Sequence, residues 1–396
     1  MSAFALILAA GFSSRMAPAF KPLLELPFAQ GRQTPLARLC ALYQSEGIRP
    51  VVIGGHRHQE VQTAAQACGA DFVRNPHPEQ GMLSSIKAGL AVLPENCRLF
   101  FIHPVDVPLV RRMTVSLLLE AAAQQTDDIY IPVYREQKGH PPLICGSLHS
   151  LLLAGDHPEG LRGLLQTSGR RIRSVPVADA FILHDMDDTK SYDTLCNLAP
   201  LADILSPEEA ETLLLLRAVP HRGLGHARAV AALAAAFTDA LMQARTGALP
   251  DQRLDSRLAM AGGLLHDICK GQAEHEKAAG HLFRSWGMER MARLVEDHRD
   301  MALPHDAPLS ERELVFLADK YVHGSRPVSL EERFAQKLHI YAQDAAACVA
   351  IRGRRERAAA MARRFAMESG RDPAEMAFEL LASFPGTGLT KFVKTP

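Results

Sequence analysis

The chain has 396 residues, of which 47% are hydrophobic and 22% charged, enough apolar material for two separate cores. Lysine plus arginine (44) balance aspartate plus glutamate (44), so there is no global electrostatic footprint for nucleic acid, and no apolar run is long enough to span a bilayer. Neither nucleic acid nor membrane is expected as a partner. Seven cysteines without a Cys-x-x-Cys pair, and a start Met1-Ser2-Ala3 lacking the basic flank of a secretory leader, predict reduced thiols and a cytoplasmic protein.

Residues 3–8 are continuously apolar and read as a strand buried on both faces. The stretch Leu8-Ala9-Ala10-Gly11-Phe12-Ser13-Ser14-Arg15-Met16 then turns this strand into a small-residue loop ending in a cation. Gly11 lets main-chain amides approach an anion, Ser13 and Ser14 add hydroxyls, Arg15 adds a fork of donors, and Lys21 supplies a second cation. That is the composition of a phosphate cradle, although a tight strand-to-helix connection with an exposed arginine would look the same.

Further apolar runs at 51–53, 99–102, 129–133 and 172–177 alternate with helical patterns such as 83–93 and 113–123. The alternation predicts an α/β domain with a mostly parallel sheet and ligands at the carboxyl ends of its strands. Asp106 ends the run at 99–102, where a hard carboxylate suits Mg²⁺; capping a loop before Pro108 is the other reading. Asp185 and Asp187 alternate after a strand-like Phe181-Ile182-Leu183, so both could face one side as a second carboxylate near the metal, or be exposed loop acids.

After Leu198-Ala199-Pro200 the texture becomes Ala, Leu, Arg and Glu at helical spacing, which divides the chain into domains at 1–199 and 200–396. Ser206-Pro207-Glu208-Glu209 reads as a helix start with a capping box. His266-Asp267 ends an apolar helical run, with His226 about forty residues earlier and Asp319 later. Lys270 could meet a phosphate or serve as a cation at a helix C-terminus before Gly271. The basic stretch around Arg352–Arg357 and Arg363-Arg364 reads mainly as a solvated face.

Several of these segments together resemble the MobA/MocA-like nucleotidyltransferases over roughly residues 3–198. The matching segments are Leu8 to Met16 with Lys21-Pro22-Leu23-Leu24, Val51-Val52-Ile53-Gly54-Gly55-His56, and Asn75-Pro76 with Gly81-Met82-Leu83-Ser84-Ser85. Pro104-Val105-Asp106-Val107-Pro108, Gly139-His140-Pro141-Pro142 and His184-Asp185-Met186-Asp187-Asp188 complete the set. The resemblance implies a Rossmann-like three-layer sandwich that transfers a nucleotidyl group from an NTP with Mg²⁺. Leu8, Ala9, Ala10, Gly11, Ser13, Ser14, Arg15, Lys21, Asn75, Ser84 and Asp106 would bind the nucleotide, and Asp106 and Asp187 the metal. Arg15, Lys21 and Asp106 would be catalytic, and Gly139, His140 and Pro141 would shape the acceptor side, with His140 also readable as the brace of a Pro-rich turn. Leu-Ala-Ala-Gly looks like the cytidylyl-transferring branch, which implies CTP and the molybdopterin of molybdenum cofactor as substrates, with Ala10 selecting the base. Two departures are visible: Ala17 stands where the family has glycine, and the interval from Met16 to Lys21 is one residue longer than usual.

The order His226, His266-Asp267, Asp319 resembles the HD-domain metal-dependent phosphohydrolases over about residues 218–335. The resemblance implies an all-α HD domain with one or two divalent metals (Mn, Fe, Zn, Ni or Mg). His275 and His298 fit positions that some HD proteins use for a second metal, though histidines also occur as surface helix residues. Asp267 would be a ligand that also orients water, and the substrate would be a phosphate ester that Lys270 helps to bind. A second class fits the same residues: a carrier that binds molybdenum cofactor and delivers it to an apo-molybdoenzyme, with the HD domain as a nucleotide-sensing regulator.

Overall fold

The computed structural model describes residues 3–124, 126–245, 253–298, 300–301 and 307–382. The chain forms two compact units, Met1–Ala202 and Asp203–Pro396.

In chain order the first unit contains β1 (Ala3–Ala9), β2 (Leu26–Phe28), β3 (Gly31–Gln33), α1 (Pro35–Ser45), β4 (Arg49–Gly54), α2 (His58–Ala67), β5 (Asp71–Arg74) and α3 (Met82–Leu90). It continues with β6 (Leu99–Pro104), α4 (Arg112–Ala123), β7 (Ile129–Tyr134), β8 (Gln137–Lys138), β9 (Leu143–Cys145), α5 (His149–Ala154), α6 (Gly160–Thr167), β10 (Ile172–Pro176) and α7 (Thr189–Leu198). The main sheet runs in the order β10-β7-β9-β6-β1-β4-β5, with β8 paired to β7. All of β1 is buried because strand alternation sends its side chains into two cores. Ala5, Ile7 and Ala9 pack with Leu39 of α1 and Leu118 of α4, whereas Phe4, Leu6 and Leu8 pack with Ile86 of α3 and Leu152 of α5. Helices therefore cover both faces, giving three layers.

Pairing is parallel between β1 and β4, β1 and β6, β4 and β5, and β7 and β10, while β9 runs antiparallel between β6 and β7. Two sequence expectations need correction. The strand before Asp106 ends at Pro104, and Asp106 lies in the turn beyond it. Residues 180–183 form a 3₁₀ turn, not a strand, because the Asp179 carboxylate accepts from the Phe181 amide and caps the turn. In the first loop Ser13 adopts the left-handed region (φ 53°).

The second unit contains α8 (Pro207–Leu216), α9 (His221–Ala244), α10 (Ser256–Leu265), α11 (His275–Ser285), α12 (Glu289–Val295), α13 (Glu311–Lys320), β11 (Val322–His323), β12 (Arg326–Pro327), α14 (Leu330–Ile340), α15 (Ala345–Ser369) and α16 (Pro373–Ala382). The short β11–β12 hairpin is a departure from a purely helical reading. Ser206 caps α8 with the capping box that its sequence predicts, Ser206 Oγ accepting from the Glu209 amide at 3.2 Å and Glu209 Oε2 from the Ser206 amide at 2.7 Å. α9 and α10 meet closely at Gly263, where a Cβ would lie 2.5 Å from Ala231 Cα. Only glycine permits that approach, which sets the end of α10 beside the first turns of α9.

Candidate functional site

The first site lies past the carboxyl ends of β1 and β6, where a cleft of about 230 Å³ is lined by Ala10, Gly11, Ser13, Lys21, Ser85 and Asp106, among others. Leu8, Ala9 and Ala10 are buried and anchor the loop, while Gly11, Ser14 and Arg15 are exposed. Ser13 Oγ accepts from the Lys21 amide at 3.1 Å, closing the loop over the extra residue between Met16 and Lys21. Lys21 thereby reaches the late acidic run: its Nζ is 2.9 Å from Asp187 Oδ1 and 3.5 Å from Asp106 Oδ2. Arg15 Nη1 lies 2.9 Å from Asp187 Oδ2. The hydrogen bond from Lys21 draws the Asp187 carboxyl below its usual range, whereas burial raises that of Asp106 against the pull of Lys21.

Two buried devices that sequence reasoning missed set this geometry. Asp179 accepts from the Arg111 amide (2.9 Å), Arg111 Nη1 (2.8 Å) and Thr114 Oγ1 (2.7 Å), pinning the segment that leads to Asp187. Within β6, His103 Nε2 is 2.9 Å from the Val107 carbonyl, and its Nδ1 is 2.7 Å from the Tyr43 hydroxyl. A carbonyl only accepts, so Nε2 carries the proton and the Tyr43 hydroxyl donates to Nδ1. This bridges strand and turn on either side of Asp106. An imidazole interrupting the apolar run Leu99-Phe100-Phe101-Ile102-His103 was the available signal for it.

The remaining expected residues divide by role. Asn75 is buried, and its Nδ2 donates to Ser84 Oγ (2.9 Å) and Ser85 Oγ (3.0 Å) while its Oδ1 accepts from the His77 amide (2.9 Å). Asn75 and Ser84 therefore brace the start of α3, and Ser85 lines the cleft. Gly139 packs on the Ile182 carbonyl, 2.4 Å from where a Cβ would sit, and the His140 amide donates to that carbonyl at 3.0 Å, next to a buried Pro141. The His140 ring faces the fields of Asp106 and Asp185, and burial lowers its pKa against them. Its buried Nδ1 has no hydrogen-bond partner among the described residues.

The second site is a cluster of helix ends. His226 comes from α9, His266 and Asp267 follow α10, His275 opens α11, His298 follows α12 and Asp319 lies in α13. His226 Nε2 is 3.2 Å from Asp319 Oδ1, and His266 Nε2 is 3.8 Å from the same oxygen and 3.7 Å from Asp267 Oδ2. Asp267 Oδ1 faces the other way, 3.4 Å from both His275 Nε2 and His298 Nε2. Two groups that could hold a metal thus share Asp267: His226, His266 and Asp267, and Asp267, His275 and His298.

The tautomers are set from behind. His226 Nδ1 is 3.0 Å from the Gly324 carbonyl, His266 Nδ1 is 2.8 Å from that of Gly263, and His298 Nδ1 is 2.7 Å from that of Val295. Each carbonyl takes the Nδ1 proton, leaving the Nε2 lone pair aimed into the cluster. Among the described residues His266 Nε2 is buried with no hydrogen-bond partner, and burial pushes its pKa down to about 4, so the imidazole is neutral. For Asp267, burial opposes ionisation, but His266, His298 and Lys270 together hold its carboxyl well below the usual range. Lys270 Nζ is 2.5 Å from Asp267 Oδ2. Neutral imidazoles and ionised carboxylates converging on an orphaned nitrogen fit a divalent transition metal.

A three-layer α/β unit with cations and carboxylates at its strand ends, and a helical unit with two imidazole–carboxylate sets, define a nucleotidyl-transfer fold joined to a metal-site fold. Residues 5–174 match the MobA-like NTP transferase domain and residues 223–323 match the HD domain, so the chain carries a MobA-like NTP transferase domain followed by an HD domain. The first family supports nucleotidyl transfer and the second metal-dependent phosphohydrolysis. Similar solved structures include Rv0371c from Mycobacterium tuberculosis H37Rv, with 20% identity over 50% of this chain and 99% of that one, and a TM-score of 0.43. A nucleotidyl transferase from Methanothermobacter matches with 22% identity over 50% and 96% of the two chains, and a TM-score of 0.42. Molybdopterin-guanine dinucleotide biosynthesis protein A from Archaeoglobus fulgidus matches with 13% identity over 49% and 97%, and a TM-score of 0.38. No curated protein matches the chain. Among the described residues, no helix is long and apolar enough to cross a membrane.

Proposed function

We propose that the first unit transfers a cytidylyl group from CTP to the terminal phosphate of molybdopterin, and that the second hydrolyses a phosphate ester with divalent metal. The observation that carries the first reading is Lys21, whose ammonium is shared by Asp106 and Asp187 beside the loop of Gly11, Ser13 and Arg15. A triphosphate entering the cleft would draw Arg15 and Lys21 off these carboxylates and onto its β- and γ-phosphates. The two freed carboxylates would then hold Mg²⁺, a hard cation suited to oxygen ligands. The bound ion would neutralise phosphate charge in the reaction. An acceptor phosphate oxygen bonds to the α-phosphorus, the bond from that phosphorus to the α,β-bridging oxygen breaks, and pyrophosphate leaves with its charge met by Arg15 and Lys21. Leu-Ala-Ala-Gly at 8–11 supports CTP, with Ala10 at the base, and Gly139-His140-Pro141 supports the acceptor side. Seven free thiols support a cytoplasmic setting.

In the second unit, His226, His266, Asp267 and Asp319 would hold one metal, and Asp267 with His275 and His298 a second. Such ions supply charge neutralisation at phosphorus and activation of water. The test of the transfer reading is incubation of the protein with each NTP, Mg²⁺ and molybdopterin, followed by analysis for dinucleotide and pyrophosphate. Product with CTP is expected. Product with GTP alone overturns the base assignment, and molybdopterin binding without product from any NTP makes the unit a carrier that serves an apo-molybdoenzyme.

A further inference from the structure

The β11–β12 hairpin interrupts the helices of the second unit, and the hydrolytic reading gives it no part. His323 pairs with Arg326 and Val322 with Pro327, which leaves Gly324-Ser325 as a two-residue turn with Gly324 in the left-handed region (φ 62°). Its base is fixed in the core: Tyr321, Val322 and Val328 are buried, the Val328 amide donates to the Tyr321 carbonyl at 3.0 Å, and the Tyr321 ring meets Phe237 of α9 edge-on at 6.4 Å. The turn itself lies against the start of α9, where a Cβ at Gly225 would stand 3.7 Å from Ser325 Cβ.

From this position the hairpin main chain reaches the first metal set by two routes. The first is direct, since His226 Nδ1 donates to the Gly324 carbonyl at 3.0 Å. The second runs through Arg333 of α14, whose Nη1 donates to the Val322 carbonyl and whose Nη2 lies 3.1 Å from Asp319 Oδ1. That oxygen is the one turned toward His226 and His266, at 3.2 and 3.8 Å, whereas Oδ2 is held separately by Lys320 at 2.7 Å. His226 and Asp319 belong to α9 and α13, so neither helix alone fixes their approach. The second set is held differently: His275 Nδ1 is 3.2 Å from Glu276 Oε2 and His298 Nδ1 is 2.7 Å from the Val295 carbonyl, partners that lie in α11 and α12.

We propose that the β11–β12 hairpin is the positioning element of the first metal set: Gly324 aims His226, and Val322 places Asp319 Oδ1 through Arg333, so a distorted turn weakens the metal held by His226 and Asp319 and spares the one held by His275 and His298. This deepens the metal reading of the second unit and rests on it. A Cβ at Gly324 meets no atom within 4 Å, so a substitution there acts through backbone conformation alone. Gly324→Val puts a β-branched residue where the left-handed region disfavours it and shifts the carbonyl from His226. The probe is Co²⁺, titrated into the full chain and followed by its visible absorption, with His226→Ala marking the binding event that belongs to the first set. Gly324→Val should weaken that event by about tenfold or more and leave any other within about twofold. Gly324→Asn, which tolerates the left-handed region, should return it to within about threefold of wild type. An unchanged first event, equal weakening of two events, or no recovery in Gly324→Asn would overturn the proposal. Gly324→Ala repeats the comparison should Gly324→Val misfold. If wild type binds no Co²⁺, the metal reading itself fails, and NMR of isotope-labelled histidine then decides the hairpin's role: the His226 Nδ1 proton seen in wild type should be lost in Gly324→Val, and identical spectra overturn it.

Discussion

In the first unit the candidate site side chains hold one another, whereas in the second unit they are held from behind by the main chain. Arg15 rests on Asp187, and Lys21 on Asp187 and Asp106, with the side chains of Arg15 and Asp187 71% and 47% exposed. His226, His266 and His298 instead keep Nδ1 on carbonyls and present Nε2 inward, with side chains 14%, 1% and 4% exposed. A site held by its own opposite charges is rearranged by its ligand. One whose ligand atoms are aimed by helix ends is ready before the ligand arrives.

The largest effect expected from this contrast is at Asp267, which faces both ligand sets. Asp267→Ala should lower metal affinity at both by at least about 100-fold, read as bound metal after dialysis, whereas His275→Ala should spare the set formed with His226 and His266. Equal losses from the two variants would mean a single site. Asp179→Ala tests whether the transferase loop is also held from behind. Leaving Arg111 buried without its carboxylate should destabilise that unit by about 3–5 kcal/mol in urea titration. A loss within the range of a surface pair would mean that the Asp179 clamp does not hold this segment. Lys21→Met should lower kcat for pyrophosphate release by about 10²–10³, since it removes one cation that would meet the leaving pyrophosphate and leaves Asp106 and Asp187 to repel each other. If Lys21→Arg keeps full activity, charge matters there more than the placement that Ser13 imposes.

What the sequence revealed follows from whether the signal is local. The cradle loop, Asp106, the capping box at Ser206 and the spaced His226, His266-Asp267 and Asp319 could all be read because each is a residue type at a characteristic place along one strand or helix. Asp187 could be named but not understood: its approach to Lys21 depends on Asp179 clamping Arg111, 68 residues away in sequence. β9 was missed because three residues flanked by Pro142 and Gly146 carry no periodicity, and its antiparallel direction is set by pairing with β6 and β7. The motif also did not reveal that Asn75 and Ser84 are hydrogen-bonded to each other and that Ser85 lines the cleft, since those contacts depend on how the loop meets α3.

His103 gives the smallest expected effect and the finest test of the contrast, because it is the one place described above where the transferase site uses the device of the HD unit, an imidazole with its tautomer set by a carbonyl. Burial pushes its pKa down from 6.5 to about 3, so the folded protein keeps it neutral. In the unfolded chain it takes a proton near its ordinary pKa. As pH falls below 6.5, the unfolded state therefore gains a proton that the folded state refuses, and the stability present above 6.5 declines progressively toward pH 3. Tyr43→Phe removes the donor to Nδ1 and should lower stability by about 1–3 kcal/mol at every pH while keeping the slope. His103→Gln should flatten the slope. Urea titrations at ~pH 7.5 and ~pH 5 separate the two, since one variant shifts both values and the other changes their difference. Should wild type and His103→Gln lose the same stability between these conditions, the neutral imidazole is not the source of the pH dependence.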